Sequence, residues 1–215
     1  MNVFAQASRG ALATPYWVLL CWGMAGVALG LGLLLTCHGS VCAAPLLDRQ
    51  LLEALHAWRH PWLDGLMGTV TWFGSIIVLL PVALILGWRY WRDDKRAAAM
   101  LLPLSIVGAG LIAHVTKLLV ARPRPDLFQP LVDMPADPSF PSAHTMQVTA
   151  LALAWILVPG LRRNPAIIAA VVLLVALVAL SRLYLQVHFP SDVLAGVVAG
   201  AAWVAGLRLL FSVRS

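Results

Sequence analysis

Three short clusters in this sequence carry groups able to do chemistry. The densest is Ser181-Arg182-Leu183-Tyr184-Leu185-Gln186-Val187-His188-Phe189-Pro190-Ser191-Asp192, which sets an arginine, a histidine and an aspartate within twelve residues. The others are Lys117-Leu118-Leu119-Val120-Ala121-Arg122-Pro123-Arg124-Pro125 and Phe140-Pro141-Ser142-Ala143-His144-Thr145. All three adjoin strongly apolar segments, where an ionisable group is costly unless it has a partner and a task. Pro190 suits the first turn of a new helix, which puts Asp192 just inside that helix and His188 just outside it. The carboxylate can then hold one ring nitrogen of His188 and leave the other as a nucleophile or base. Arg182 lies about two helical turns earlier if the preceding helix runs on, and its planar fork suits an oxyanion.

Together the clusters supply three cations (Lys117, Arg124 and Arg182), two histidines and Ser142 at a helix start, where free N–H groups and the dipole favour an anion. No group of cysteines or carboxylates is spaced to hold a metal, so neither a metal nor another cofactor is expected. A multiply charged tetrahedral anion fits this set, phosphate above all, and arginine spreads charge where phosphoryl transfer needs it.

In order along the chain, the clusters resemble the signature of the type 2 phosphatidic acid phosphatase (PAP2) superfamily, whose motifs read Lys-x6-Arg-Pro, Pro-Ser-Gly-His and Ser-Arg-x5-His-x3-Asp. The resemblance spans roughly residues 60–210, and Ala143 stands where the family usually has glycine. It implies a metal-independent enzyme with His188 as nucleophile, Asp192 orienting it and His144 as general acid and base. Lys117, Arg124, Ser142, Ala143 and Arg182 would bind phosphate. Alanine is tolerated at a helix start, so the substitution is expected to change substrate fit more than to abolish activity.

The bulk composition agrees with such a setting. At 215 residues the chain fits one domain, 1–215. Hydrophobic residues make up 61% and charged residues 11%, which excludes disorder and indicates an integral membrane protein. The net charge of +6 is distributed as membrane topology and phosphate binding require, and no nucleic-acid partner is expected. Cys21 reads as a buried inert thiol, while Cys37 and Cys42 are close enough in sequence to be bonded, with their geometry open.

Six apolar spans predict an all-α polytopic fold. The first is Trp17 to Thr36, too long for an ordinary signal peptide. Leu46 to Trp62 reads as an amphipathic interfacial helix with Leu47, Leu51, Leu52, Leu55 and Trp58 on one stripe. The remaining spans are Gly65 to Trp88, kinked at Pro81; Ala97 to Thr116; Ser142 to Val158; Ala166 to Tyr184; and Pro190 to Leu210. The connection 120–139 holds five prolines and is long enough to be functional. His114 reads as packed or near substrate, and Arg122 and Asp126 as surface or loop-stabilising residues.

The face without motifs holds Arg9, Arg89, Arg92, Lys95, Arg96, Arg162, Arg163, Arg208 and Arg214, against Arg49, Arg59 and Arg122 on the other, leaving motif residues out. Nine against three puts the first face and both termini in the cytoplasm. All three motifs then open at the outer face of the plasma membrane (the bacterial inner membrane). The expected function is hydrolysis of a membrane lipid phosphate or diphosphate through a phosphohistidine, with undecaprenyl diphosphate and phosphatidylglycerol phosphate foremost among substrates the resemblance implies. The same intermediate permits lipid-to-lipid phosphotransfer. A transporter is disfavoured because its ionisable groups would lie near the midplane. Oligomeric state is left open.

Overall fold

The structure is a computed structural model that describes residues 44–158 and 164–212, with individual residues of the preceding segment from Tyr16 to Cys42. Its helices are α1 (Leu46–His56), α2 (Pro61–Val70), α3 (Ile76–Arg92), α4 (Arg96–Val120), α5 (Ala143–Ile156), α6 (Pro165–Tyr184) and α7 (Pro190–Ser212), with a 3₁₀ turn at Thr71–Gly74. A two-residue antiparallel pair, β1 (Cys37–His38) and β2 (Val41–Cys42), sets Cys37 opposite Cys42. Among the described residues the rest is helix and loop, as expected of an all-α fold. The bonding of Cys37 and Cys42, the basic residues Arg162 and Arg163 and much of the first span lie outside what is described.

Among the described residues, three helices are long and apolar enough to cross a membrane: α4, α6 and α7. Four spans result when α2 and α3 count as one, bent by 46°. Pro81 had predicted that kink, but the bend falls at the Gly74–Ser75 break and Pro81 sits within α3. Ser75 caps the new helix by accepting a hydrogen bond from Ile77 N–H at 3.3 Å. α5 has 14 residues, about 21 Å at 1.5 Å per residue, and is largely enclosed by its neighbours.

The core runs along α4, α5 and α7, through Leu102, Ile106, Met146, Ala150, Ala199 and Val204. Glycine brings α7 against α5. A Cβ at Gly196 would lie 2.8 Å from the Ser142 carbonyl oxygen, and one at Gly200 would lie 2.6 Å from that of Met146. This small-xxx-small spacing permits backbone contact between helices and locks the starts of α5 and α7 together. Trp22 stacks on Trp203 with centroids 5.4 Å apart, tying the N-terminal helical residues to α7.

Two expectations are corrected here. α1 ends at His56, and of its predicted apolar stripe Leu52 is fully buried whereas Leu47, Leu51 and nearby Trp58 are exposed. The side chain α1 sends inward besides Leu52 is Asp48, 4% exposed, because buried cationic and hydroxyl partners await it. His114 is not packed: it is exposed on α4.

Candidate active site

The junction of α6 and α7 explains the Arg-x5-His-x3-Asp spacing. α6 closes with a Schellman turn, in which Gln186 N–H donates to Leu183 O (3.0 Å) and Val187 N–H to Arg182 O (3.2 Å). Gln186 takes the left-handed conformation at φ 59°, costing a non-glycine residue about 1–2 kcal/mol. Its amide is secured by donating to Leu52 O at 3.1 Å. The next helix starts almost at once, and Asp192 Oδ2 reaches back to accept from Phe189 N–H at 2.8 Å, as the third residue of a capping box does. A helix C-cap fused to a helix N-cap thus places Arg182, His188 and Asp192 around one point.

His188 Nδ1 lies 3.5 Å from Asp192 Oδ2. The Ser139 hydroxyl stands between them, 3.4 Å from Nδ1 and donating a short hydrogen bond to Oδ2. On the ring's other side Arg124 Nη1 is 3.3 Å from Nε2. Arginine has no acceptor, so Nε2 carries the lone pair and Nδ1 the proton. Burial first, then the charges of Arg182, Arg124 and Lys117, hold the His188 pKa well below the usual 6.5. The imidazole is therefore neutral at neutral pH, with its Nε2 lone pair facing the cationic side.

That side is a cavity of about 220 Å³ lined by Lys117, Arg124, Asp137, His144, Arg182 and His188, with Ala143 and Gln147 at its wall. The three motifs, separate in sequence, meet here. Asp137 spans two of the cations, 2.9 Å from Lys117 Nζ and 2.6 Å from Arg124 Nη2. Burial alone would raise its pKa, but the hydrogen bond and charge of Lys117, joined by Arg124, hold it at about 2. Arg182 differs. Its Nη1 donates to Thr71 Oγ1 at 2.6 Å, while Nε is buried without a partner and, among the described residues, no carboxylate pairs with the group. Such an unsatisfied charged donor in a cavity wall fits an anion that arrives from outside.

Ser142 stands apart from the other predicted phosphate ligands. It is fully buried, its hydroxyl is 3.0 Å from Thr145 Oγ1 and its N–H donates to Asp192 O at 3.1 Å. It joins the start of α5 to α7 behind the cavity wall, while Ala143 and His144 form the wall itself. Several site residues went unread in the sequence: Asp137, Ser139, Arg122 and Asp48. Of the two readings of Arg122, surface or loop-stabilising, the surface one is corrected: the residue is fully buried, because Asp48 and Asp192 both turn toward it. Asp126 is exposed, as expected.

The PAP2 superfamily profile matches residues 98–214, which include all three clusters. The chain belongs to the PAP2 superfamily. It is 34% identical over 173 residues to phosphatidylglycerophosphatase B of Bacillus subtilis, covering 78% of this chain and 81% of the relative. It is 35% identical over 166 residues to an undecaprenyl-diphosphatase of Sulfolobus acidocaldarius, covering 74% and 76%. Among solved structures it resembles a transmembrane PAP2 type phosphatidylglycerolphosphate phosphatase from Bacillus subtilis, with a TM-score of 0.73 and 27% identity over 88% of this chain and 93% of that one. The PAP2 fold of this chain is thus a multi-pass membrane fold.

Proposed function

We propose that this PAP2 protein is a metal-independent phosphatase acting on membrane lipid phosphates or diphosphates. One observation carries the reading: the buried Arg182 guanidinium, with no acid partner among the described residues and an unpaired Nε–H, lines the same cavity as His188. His188 Nε2 attacks phosphorus in line as the bond to the leaving oxygen breaks, and His144 gives that oxygen its proton. The proton on His188 Nδ1 stays directed at Asp192, whose charge stabilises the imidazolium of the phosphohistidine. His144, now neutral, takes a proton from water, which attacks phosphorus as the bond to His188 Nε2 breaks; inorganic phosphate leaves and the electron pair returns to Nε2. Lys117, Arg124 and Arg182 neutralise the phosphoryl oxygens, with Ala143 beside them and Ser142 holding the α5 start in place.

A second, wholly apolar cavity of about 300 Å³ lies between α3, α5 and α6, lined by Phe73, Val82, Leu151, Trp155 and Val175 among others. Phe73 and Val148 line it, while their close neighbours Ser75 and Gln147 line the polar one. An alkyl chain can rest there while its head group reaches His188, which supports a lipid substrate. Relatives named for phosphatidylglycerophosphate and undecaprenyl diphosphate make these the first substrates to test. Phosphate release from a panel of both, with phosphatidate and lipid A, in the presence of EDTA, checks the reading; no turnover of any of them would contradict it.

The finer topology in this proposal is a single domain with six spans, α1 lying at the interface, both termini cytoplasmic and the site at the outer face of the plasma membrane. The Lys and Arg asymmetry supports it, as do the exposed Leu46, Leu47, Leu51 and Trp58 around α1. Cysteines introduced at Asp126 and Asp94 should be labelled by an impermeant thiol reagent from outside and inside respectively. The reverse pattern would overturn the orientation.

A further inference from the structure

Arg122 makes no contact with the cavity, yet it is the largest fully buried side chain described. Its fork is divided between two helices. Nη1 donates to Asp192 Oδ1 at 2.5 Å and to Ser191 Oγ at 2.8 Å, while Nη2 donates to Asp48 Oδ2 at 3.1 Å. The guanidinium carbon lies 4.2 Å from the centre of the Phe189 ring, which covers its face. Asp48, from α1, also accepts from Ser191 N–H at 2.9 Å and from the Ser191 hydroxyl at 2.5 Å.

The two oxygens of Asp192 therefore have separate duties. Oδ1 is held by Arg122, whereas Oδ2 takes Phe189 N–H and the Ser139 hydroxyl and faces His188 Nδ1. We infer that Arg122, anchored by Asp48, is a positioning residue for the reaction, fixing Asp192 so that one oxygen stays aimed at the His188 ring. This rests on the nucleophilic role proposed above for His188. A planar fork can bind carboxylates arriving from two directions at fixed angles, which a lysine's single point charge cannot. Without Arg122 the carboxylates of Asp48 and Asp192 would be two buried like charges with no cation between them. One consequence is that α1, far from the motifs in sequence, belongs to the catalytic apparatus through the links Asp48, Arg122, Asp192 and His188.

The test uses the full chain in detergent micelles and a labelled lipid monophosphate, following phosphoenzyme formation by rapid quench. Asp48→Asn keeps the shape of the cluster and leaves the fork on Asp192. It should slow phosphoenzyme formation about 10–100-fold, the range seen when an orienting partner is lost. Inhibition by inorganic phosphate should stay within about twofold, because the cations facing the cavity are untouched. The loss should be equal for the lipid and for p-nitrophenyl phosphate, since the nucleophile and not the leaving group is affected. Arg122→Lys, which retains charge without the fork, should also be impaired. Ser191→Ala, a deletion of one hydroxyl, should show a smaller loss of the same kind, and it decides the matter if the other variants do not fold. Phosphorylation at the wild-type rate in Asp48→Asn and Ser191→Ala would overturn the inference. So would a parallel loss of phosphate affinity, which would mark a general collapse of the cavity. Wild-type protein that turns over without forming phosphoenzyme would instead overturn the nucleophile assignment, and this inference with it.

Discussion

His188 Nδ1 stands 3.5 Å from Asp192 Oδ2, and the Ser139 hydroxyl bridges the two. At that separation the direct contact from the neutral ring's Nδ1–H is longer than an ordinary hydrogen bond, so the hydroxyl shares in orienting the ring. Asp192→Asn should lower kcat by about 10³–10⁴-fold, as loss of an orienting carboxylate behind a catalytic histidine does. Ser139→Ala should cost about 10-fold, with KM little changed in either variant. Steady-state kinetics on a purified lipid monophosphate checks both.

The role of His144 depends on the leaving group. A lipid alkoxide needs a proton as the P–O bond breaks, whereas p-nitrophenolate is stable as an anion. His144→Ala should depress lipid phosphate hydrolysis by about 10²–10⁴-fold. With p-nitrophenyl phosphate the first step should suffer much less, giving a burst of nitrophenol and a slow steady state as phosphoenzyme accumulates. Equal losses without a burst would leave His144 as a phosphate ligand only.

Asp137 holds Lys117 and Arg124 in the free protein, so an incoming phosphate competes with its carboxylate. Asp137→Asn should strengthen inhibition by inorganic phosphate, by up to about fivefold given the modest worth of a half-exposed pair. The pair's own contribution to stability has a defined sign. Asp137 has a pKa lowered from 3.8 to about 2, so its stabilising effect is complete above 3.8 and fades as pH falls through about 2. Thermal unfolding between pH 7 and pH 5 should therefore show no difference in pH dependence between Asp137→Asn and wild type; a difference confined to that range would contradict the ion-pair geometry.

Close backbone contact between α5 and α7 fixes the distance from His144 to His188. A Cβ at Gly200 would meet Met146 O at 2.6 Å, a backbone atom that cannot rotate away. Gly200→Ala should destabilise the protein by about 1–3 kcal/mol and lower activity through a shifted α5. Thermal melting in detergent, with Gly68→Ala, where an added Cβ meets open space, as control, measures this.

The sequence exposes its site where local spacing alone sets geometry. Arg182, His188 and Asp192 were legible because a C-cap and an N-cap join within twelve residues. Lys117, His144 and Arg124 were legible because helix ends place them at a common depth. Arg122 was not, for its partners Asp48 and Asp192 lie 74 and 70 residues away and no local pattern announces them. Asp48 was hidden for a further reason: on an amphipathic helix a carboxylate usually marks the solvated face, and here it marks the buried one. The bend at Ser75 also escaped notice, since Pro81 is the stronger sequence signal, yet α3 runs on through Pro81 from its start at Ile76. Ser139 and Asp137 sit in a proline-rich connection without periodicity, whose course only the folded chain defines.

The most direct test is to trap the covalent intermediate. Purified protein mixed with ³²P-labelled lipid monophosphate in EDTA and quenched within milliseconds should carry acid-labile, alkali-stable label, and peptide mapping should place it on His188. His188→Ala should remain folded and carry none. Label on another residue, label persisting in His188→Ala, or turnover that EDTA abolishes and a divalent metal restores would contradict the account.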